Sequence, residues 1–280
     1  MLRSIGAVRA LGLQDVDDAL EVCAQDPVAN VFVAARILES GLAGTRGPLF
    51  GYDVAGERAL CWCSANVVPV EASPRAIGAL AAKVVRRRTW ASSIFGPAEQ
   101  VLDLWGRLSR HWGDPREVRA DQFVMTMSHS PLALGVEVDP HVRPARPDEL
   151  DLVVPAAAAM FTEEIGYPPY RGSGTAYRQG VAGLIERGHA LVRVEEGEVV
   201  FKADLGSVAL GVAQVQGVWV HPRWRGRGLA APAMAAVVEH TLRHVAPTVT
   251  LYVNDFNEPA VRTYRRVGFV QTGTFATVLL

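Results

Sequence analysis

Three arginines and two glycines stand together in Val218-Trp219-Val220-His221-Pro222-Arg223-Trp224-Arg225-Gly226-Arg227-Gly228. An apolar run, Gly211 to Val220, leads into this stretch, and a helix-like run, Leu229 to His244, follows it. A strand that passes through glycines into a helix makes an anion cradle. The first helical amides have no intrahelical acceptor, and the helix dipole adds to their positive field. Gly226 and Gly228 let the backbone approach a bulky phosphate. Arg223, Arg225 and Arg227 add charge around it. The chemistry implied is recognition of a phosphate-bearing cofactor. If the helix begins near Gly226, Pro232 should bend it or leave the carbonyl of Gly228 free.

A second group of residues lies downstream. Asn257 precedes Glu258-Pro259 and suits a helix N-cap. Tyr264 follows seven residues later, two helical turns on, so the two share a face. On helix spacing alone Tyr264 reads equally as a core aromatic. Gly268 suits the C-cap. Glu163 and Glu164 lie beside the irregular loop Gly166 to Thr175. They read either as a solvated acidic pair or as a general base next to a functional lid. Gln214 and Gln216 on the strand before the cradle cannot act as bases. His221 is a poor base candidate, because a His-Pro step serves the turn. Tyr167, Tyr170, Phe161 and Trp219 suit an aromatic pocket or a core equally.

The elements that must position these residues fall into two halves with one plan. A short strand (Ala7 to Ala10; Val142 to Ala145) precedes a helix (Gln14 to Ala24; Asp148 to Met160). Val8-Arg9 repeats as Val142-Arg143, and Gln14-Asp15 corresponds to Asp148-Glu149 at the same offset. Acidic pairs at a helix start are favoured by the dipole. A second helix follows, Ala29 to Glu39 or Ala176 to Arg187. Strands come next. In the first half they are Leu49 to Tyr52 and Arg58 to Val70, turning at Val54 to Glu57. In the second they are Ala190 to Glu195, Val199 to Leu205 and Val208 to Val220, turning at Glu196 to Glu198 and at Gly206-Ser207. Each half then runs helix, strand, helix: Pro74 to Arg88, Ala91 to Phe95 and Ala98 to Trp112; then Gly228 to His244, Val249 to Val253 and Glu258 to Val267. Glu117 to Met127 closes the first half. A hairpin from Phe269 to Leu280, turning at Thr272-Gly273, closes the second. The link is Pro131 to Pro140, which gives domains over 1–135 and 136–280.

Composition narrows the function classes. The net charge is -1, without a basic tail, so nucleic acid is not an expected partner. No apolar run is long enough to span a bilayer, so no membrane role is expected. The N-terminus lacks a signal-peptide pattern, and the 3 cysteines, Cys23, Cys61 and Cys63, make no paired framework. Both point to the cytoplasm. Alternation on a strand turns Cys61 and Cys63 to one face as core thiols, and no metal site is expected. Lysine occurs only at Lys83 and Lys202, while arginine is abundant. Arg86-Arg87-Arg88 reads as the charged end of a helix.

Arg223 to Gly228 resembles the Arg/Gln-x-x-Gly-x-Gly/Ala signature of the GCN5-related N-acetyltransferases (GNAT). Leu251 to Ala260 resembles that family's fifth strand and fourth-helix start. Thr263-Tyr264-Arg265-Arg266-Val267-Gly268-Phe269 is similar to its Leu-Tyr-x-x-x-Gly-Phe segment, with Thr263 in place of leucine. The blocks come in family order and spacing. The resemblance implies an α/β (α+β) fold of two tandem domains, each a mixed, mostly antiparallel sheet flanked by helices. It implies acetyl-CoA, or another short acyl-CoA, as cofactor. The pyrophosphate would sit on the amides of Arg225 to Leu229, and pantetheine would pair with Val218 and Val220. Asn254 and Asn257 would also face the cofactor, and Tyr264 would be the general acid. The base would come from Glu163 or Glu164. The acceptor would be a primary amine of a small molecule or protein, attacking the thioester directly. The first half lacks the signature: its matching strand ends Asn66-Val67-Val68-Pro69-Val70-Glu71. It reads as a degenerate partner domain without cofactor, a plan similar to that of mycothiol synthase and tandem actinobacterial acetyltransferases. The absence of a glutamate from the fourth strand leaves an alternative, a non-catalytic acyl-CoA sensor. An aminoacyl transferase is a third reading, which the near-neutral charge does not favour.

Overall fold

The computed structural model describes residues 8–43 and 48–280. Ala7, the expected start of the first strand, lies outside the described residues. The chain divides into two compact units. The first comprises Met1–Val124, Tyr252–Asn257 and Gln271–Leu280, and the second Met125–Leu251 and Glu258–Val270.

The first unit runs β1 (Val8–Ala10), α1 (Val16–Cys23), α2 (Pro27–Ser40), β2 (Leu49–Val54), β3 (Glu57–Cys63), β4 (Asn66–Val70), α3 (Pro74–Val84), β5 (Ser93–Pro97), α4 (Ala98–Trp112) and β6 (Glu117–Met127). Strands β1 to β4 pair in sequence order, each antiparallel to the next, and β5 joins β4 in parallel. The apolar residues of α4, Val101, Leu104, Leu108 and Trp112, recur at helical spacing and are buried. They meet Ile77 and Leu80 of α3 and the strand residues Ala59, Cys61 and Cys63. Each such burial contributes about 1.5–3 kcal/mol for a Leu or Ile. Cys61 and Cys63 do share one face, with their sulfurs 3.6 Å apart in this core. The hydrogen bond with the Cys63 thiol, with burial adding, pushes the Cys61 thiol well above its ordinary range.

The second unit runs β7 (Arg143–Pro144), α5 (Leu150–Ile165), α6 (Thr175–Glu186), β8 (Ala190–Glu195), β9 (Glu198–Ala209), β10 (Val212–Val220), α7 (Ala230–His244), β11 (Thr248–Asn254) and α8 (Glu258–Val267), followed by β12 (Val270–Leu279). Strands β7 to β10 are successively antiparallel, and β11 joins β10 in parallel. This is the pairing pattern of β1 to β5, so the two halves share one topology. Val153, Ala156 and Ala157 of α5 pack with Val181 and Ile185 of α6 over Val192, Val199 and Trp219.

The repeated opening is the same ion-pair device in both units. Arg9 donates twice to Asp15, at 2.9 and 2.6 Å, and Asp15 also accepts the Gly12 N–H at 2.9 Å. Arg143 donates twice to Glu149, at 2.8 and 2.7 Å, and Glu149 accepts the Arg146 N–H at 2.7 Å. The paired carboxylate closes the first turn of the following helix.

Three local expectations are corrected. The turn expected at Gly206-Ser207 lies at Leu210-Gly211, where both residues have positive φ (52° and 73°). That geometry matches the twist of an antiparallel pair, as at Ala55-Gly56 and Glu196-Gly197. Gly206 is instead an extra residue within β9, where the Gln216 side chain fills the space a Cβ would need. The expected hairpin at Thr272-Gly273 is absent. β12 is one strand, and its residues Phe275 to Leu279 pair antiparallel with Pro97 to Ser93 of β5. Lastly, the third helix of the second half begins at Ala230 rather than near Gly226. Pro232 therefore falls in its first turn, where its missing N–H had no intrahelical acceptor to lose.

Candidate functional site

The residues expected to form the cradle lie at the end of β10 and the start of α7. The β10–β11 ladder covers Val212, Ala213 and Gln214 and stops there. On the opposite edge β10 continues with β9 to Val220↔Phe201, and the His221 N–H bonds Val200 O at 2.9 Å. Trp219 and His221 thus present their backbone groups to β9. Val218 and Val220 present theirs to the edge that β11 has left.

Beyond Val220 the chain makes a 3-10 turn, Pro222–Trp224, in which His221 Nδ1 accepts the Arg223 N–H at 3.2 Å. His221 thus serves the turn. Gly226 and Gly228 both have positive φ (72° and 78°), and open space lies where a Cβ would project. No side chain caps α7. The matching helix of the first unit is closed differently. Ser73 Oγ accepts the Ala76 N–H at 3.2 Å, and Gln100 Oε1 accepts the Ala72 N–H at 3.0 Å. An anion would find those amides taken.

The arginines are partnered. Arg223 bonds Glu198 at 2.6 Å, and Arg227 lies over the Trp224 ring with 5.4 Å to its centroid. Arg225 turns inward: its Nη2 bonds Glu163 Oε2 at 2.6 Å and its Nε bonds Val220 O at 2.9 Å. The Trp219 indole N–H donates to the other Glu163 oxygen at 3.1 Å. The structure therefore brings Glu163, Trp219, Val220 and Arg225 together. Leu229 immediately precedes α7 and is half-buried.

Tyr264 is buried on α8, with its ring edge-on to Phe269. Burial, with the Glu164 carboxylate adding to it, pushes its hydroxyl well above the ordinary 10.0. The phenol stays protonated at neutral pH. Asn254 and Asn257 belong to the first unit, which takes in Tyr252–Asn257. Asn254 is buried, and its Oδ1 accepts from Gln122 Nε2 at 2.8 Å, while Gln122 Oε1 accepts from Thr277 at 2.6 Å. Asn257 stands one residue before α8, and its N–H bonds Asn254 O at 3.0 Å.

Sequence reasoning missed Lys202, Asp204 and Gly217. Gly217 and Val218 together stand opposite Ala203, between the pairs Gln216↔Asp204 and Trp219↔Lys202, so β10 bulges there. Gly217 has φ of 59°. Lys202 is fully buried and donates to Asp204 Oδ2 at 2.6 Å and to Gly217 O at 3.1 Å. The available signal was a lone lysine in the apolar run Val199 to Leu205, in a chain with one other lysine. Tyr177 faces the same carboxylate, and burial, with Asp204 and Tyr170 adding, pushes its hydroxyl up to about 12. A Cβ at Gly217 would lie 3.0 Å from Asp204 Oδ2 and 3.2 Å from Lys202 Nζ. Gly217→Ala is expected to cost about 1–2 kcal/mol, read as a lower urea midpoint. An unchanged midpoint would mean that the bulge relaxes at no cost.

No helix among the described residues is long and apolar enough to cross a membrane, and no group of metal-ligating side chains is found among them.

Residues 47–153 match a family model described as a domain of unknown function (DUF4081), and residues 159–269 match the acetyltransferase (GNAT) family. The chain is 40% identical over 68 residues to a mycothiol acetyltransferase of Acidimicrobium ferrooxidans. That match covers 24% of this chain and 21% of the relative, so the chain spans about a fifth of that protein's length. A GCN5-related N-acetyltransferase from Sphaerobacter thermophilus has a similar fold (TM-score 0.64, 20% identity, 97% of this chain and 94% of the other). So does a tandem GNAT protein from the clavulanic acid biosynthesis pathway (TM-score 0.53, 16% identity, 96% and 97%). Residues 159–269 thus match the GNAT acetyltransferase family, in a chain whose α/β fold is similar to that of a tandem GNAT protein.

Proposed function

We propose that the second unit is an acetyl-CoA-dependent N-acetyltransferase acting on a primary amine of a small molecule or protein, in the cytoplasm. The observation that carries this reading is the open edge of β10 past Gln214, leading directly into an uncapped helix start with two positive-φ glycines. An extended, amide-bearing chain ending in a pyrophosphate fits that pairing edge and that anion cradle. The first unit, whose matching amides are capped, takes no cofactor.

When bound, acetyl-CoA, or another short acyl-CoA, supplies an activated thioester. Val218 and Val220 offer backbone donors and acceptors along the open edge. The Arg225 N–H is taken by Pro222 O at 3.3 Å, so the amides of Gly226, Arg227, Gly228 and Leu229 face the phosphates, and the guanidiniums of Arg223, Arg225 and Arg227 add positive charge. Glu163, held by the Trp219 indole, accepts a proton from the incoming amine, with Glu164 as the neighbouring candidate. Tyr264 donates a proton to the leaving sulfur. Arg225 must release the Val220 carbonyl for that acceptor to pair with the cofactor. The same movement frees Glu163 from its ion pair.

Calorimetric titration with acetyl-CoA tests the reading. Saturable binding with one site per chain is expected. No heat of binding at about millimolar cofactor, a free energy near -4 kcal/mol, would remove it. Tight binding without acetyl transfer across a broad amine panel would favour an acyl-CoA sensor instead.

A further inference from the structure

Lys202 is the least expected residue of the second unit. A lysine amine is almost never fully buried unless paired, and burying it is unfavourable even then. Here it occupies the middle of β9 and spends donors on two acceptors, the Asp204 carboxylate and the carbonyl of Gly217. A hydrophobic pair of similar volume would serve packing at least as well. The location of the second acceptor is therefore informative. Gly217 is the left-handed residue of the β10 bulge, the point at which β10 sets the backbone of Val218.

The Gly217–Val218 peptide is trans. In a planar trans peptide the carbonyl and the following N–H point in opposite directions. A donor that holds the Gly217 carbonyl therefore also aims the Val218 N–H, away from Lys202. Val218 lies two residues before Val220, on the edge that β11 has left. The ammonium also polarises the peptide it bonds, which makes the N–H at its far end a stronger donor. Asp204 holds the amine in place through a 2.6 Å hydrogen bond.

We propose that Lys202 and Asp204 are positioning residues that aim and strengthen the Val218 N–H as the donor to the acyl carbonyl of the cofactor. The proposal rests on the acyl-CoA reading above and adds to it the residues that build the carbonyl-polarising donor. Neither side chain need touch the cofactor.

The test is vibrational. The carbonyl stretch of isotope-labelled acetyl-CoA is expected to move to lower frequency on binding the parent protein. Lys202→Met alone leaves Asp204 buried without its cation, which strongly destabilises the fold. The double variant Lys202→Met/Asp204→Val removes both charges and keeps the core apolar. It is expected to bind acetyl-CoA within about tenfold of the parent affinity and to lose the carbonyl shift. A folded double variant that keeps the parent shift overturns the proposal. So does a folded variant that loses binding altogether, because a role confined to the carbonyl leaves the phosphate contacts intact. Should the double variant not fold, the parent itself suffices. With two lysines in the chain, the Lys202 Nζ resonance is readily assigned. It is expected to move when acetyl-CoA replaces CoA, and an unmoved signal overturns the assignment. If the parent binds no acetyl-CoA, the acetyltransferase reading falls. If it binds without a carbonyl shift, only the positioning role falls.

Discussion

Replacing Tyr264 by phenylalanine is expected to lower turnover by about a hundred- to a thousandfold while acetyl-CoA affinity stays near the parent value. The exchange removes one oxygen and keeps the ring against Phe269. Loss of packing is therefore small, and the missing proton donor dominates. The buried hydroxyl is held well above its ordinary pKa, so it stays protonated across neutral pH and can donate to a departing thiolate. The measurement pairs CoA-thiol release, using an amine returned by an acceptor screen, with calorimetry of cofactor binding. A fall in affinity as large as the fall in turnover would place Tyr264 in the framework and take it out of the chemistry.

The second large effect concerns stability. Glu149 is 3% exposed, bonded twice by Arg143 and also by Arg146. The Arg143 hydrogen bonds, helped by the Arg146 backbone N–H, lower its carboxyl from the ordinary 4.5 to about 2. A folded value below the unfolded one stabilises the protein fully above pH 4.5, and that stabilisation is lost as the pH falls through about 2. At neutral pH the shift corresponds to about 3 kcal/mol. Glu149→Gln is expected to lose about that amount at pH 7, read from urea unfolding of the full chain. The gap between variant and parent should close progressively from pH 4.5 towards pH 2. A gap independent of pH over that range would show that the carboxylate charge is not the source.

The Arg143–Glu149 pair also shows how far sequence alone carries. Its counterpart, Arg9–Asp15, has the same six-residue separation, and the repeat was visible as two short matching pairs. Contacts this local follow from residue order, because a short strand and a helix start can meet in few ways. The same holds for α4 and β6, which fall at the residues their apolar periodicity assigns. It holds too for the cradle glycines, whose positive φ follows from the lack of a Cβ.

Spacing was not enough where two patterns competed. Gly206-Ser207 and Thr272-Gly273 carry turn residues, yet both lie inside strands. Ser207 pairs with Gln214 of β10, and β12 lies between β5 and β6, so sheet pairing outweighed the local preference. Arg225, which the sequence places as charge around the cradle, bonds Glu163 and the Val220 carbonyl, partners that only the fold brings near it.

By itself, then, the sequence determined most of the order of elements and the duplicated plan, and it picked out the residues proposed for the anion cradle and the candidate acid Tyr264. These depend on periodicity, capping and short spacings, which act within a few residues. Only the tertiary structure decided that β10 parts from β11 after Gln214, that it bulges at Gly217, and that Lys202 and Asp204 lie beside that bulge. Each of these requires the register of one strand against another. That register is set by the summed burial of both strands, a long-range quantity that no short stretch of residues encodes.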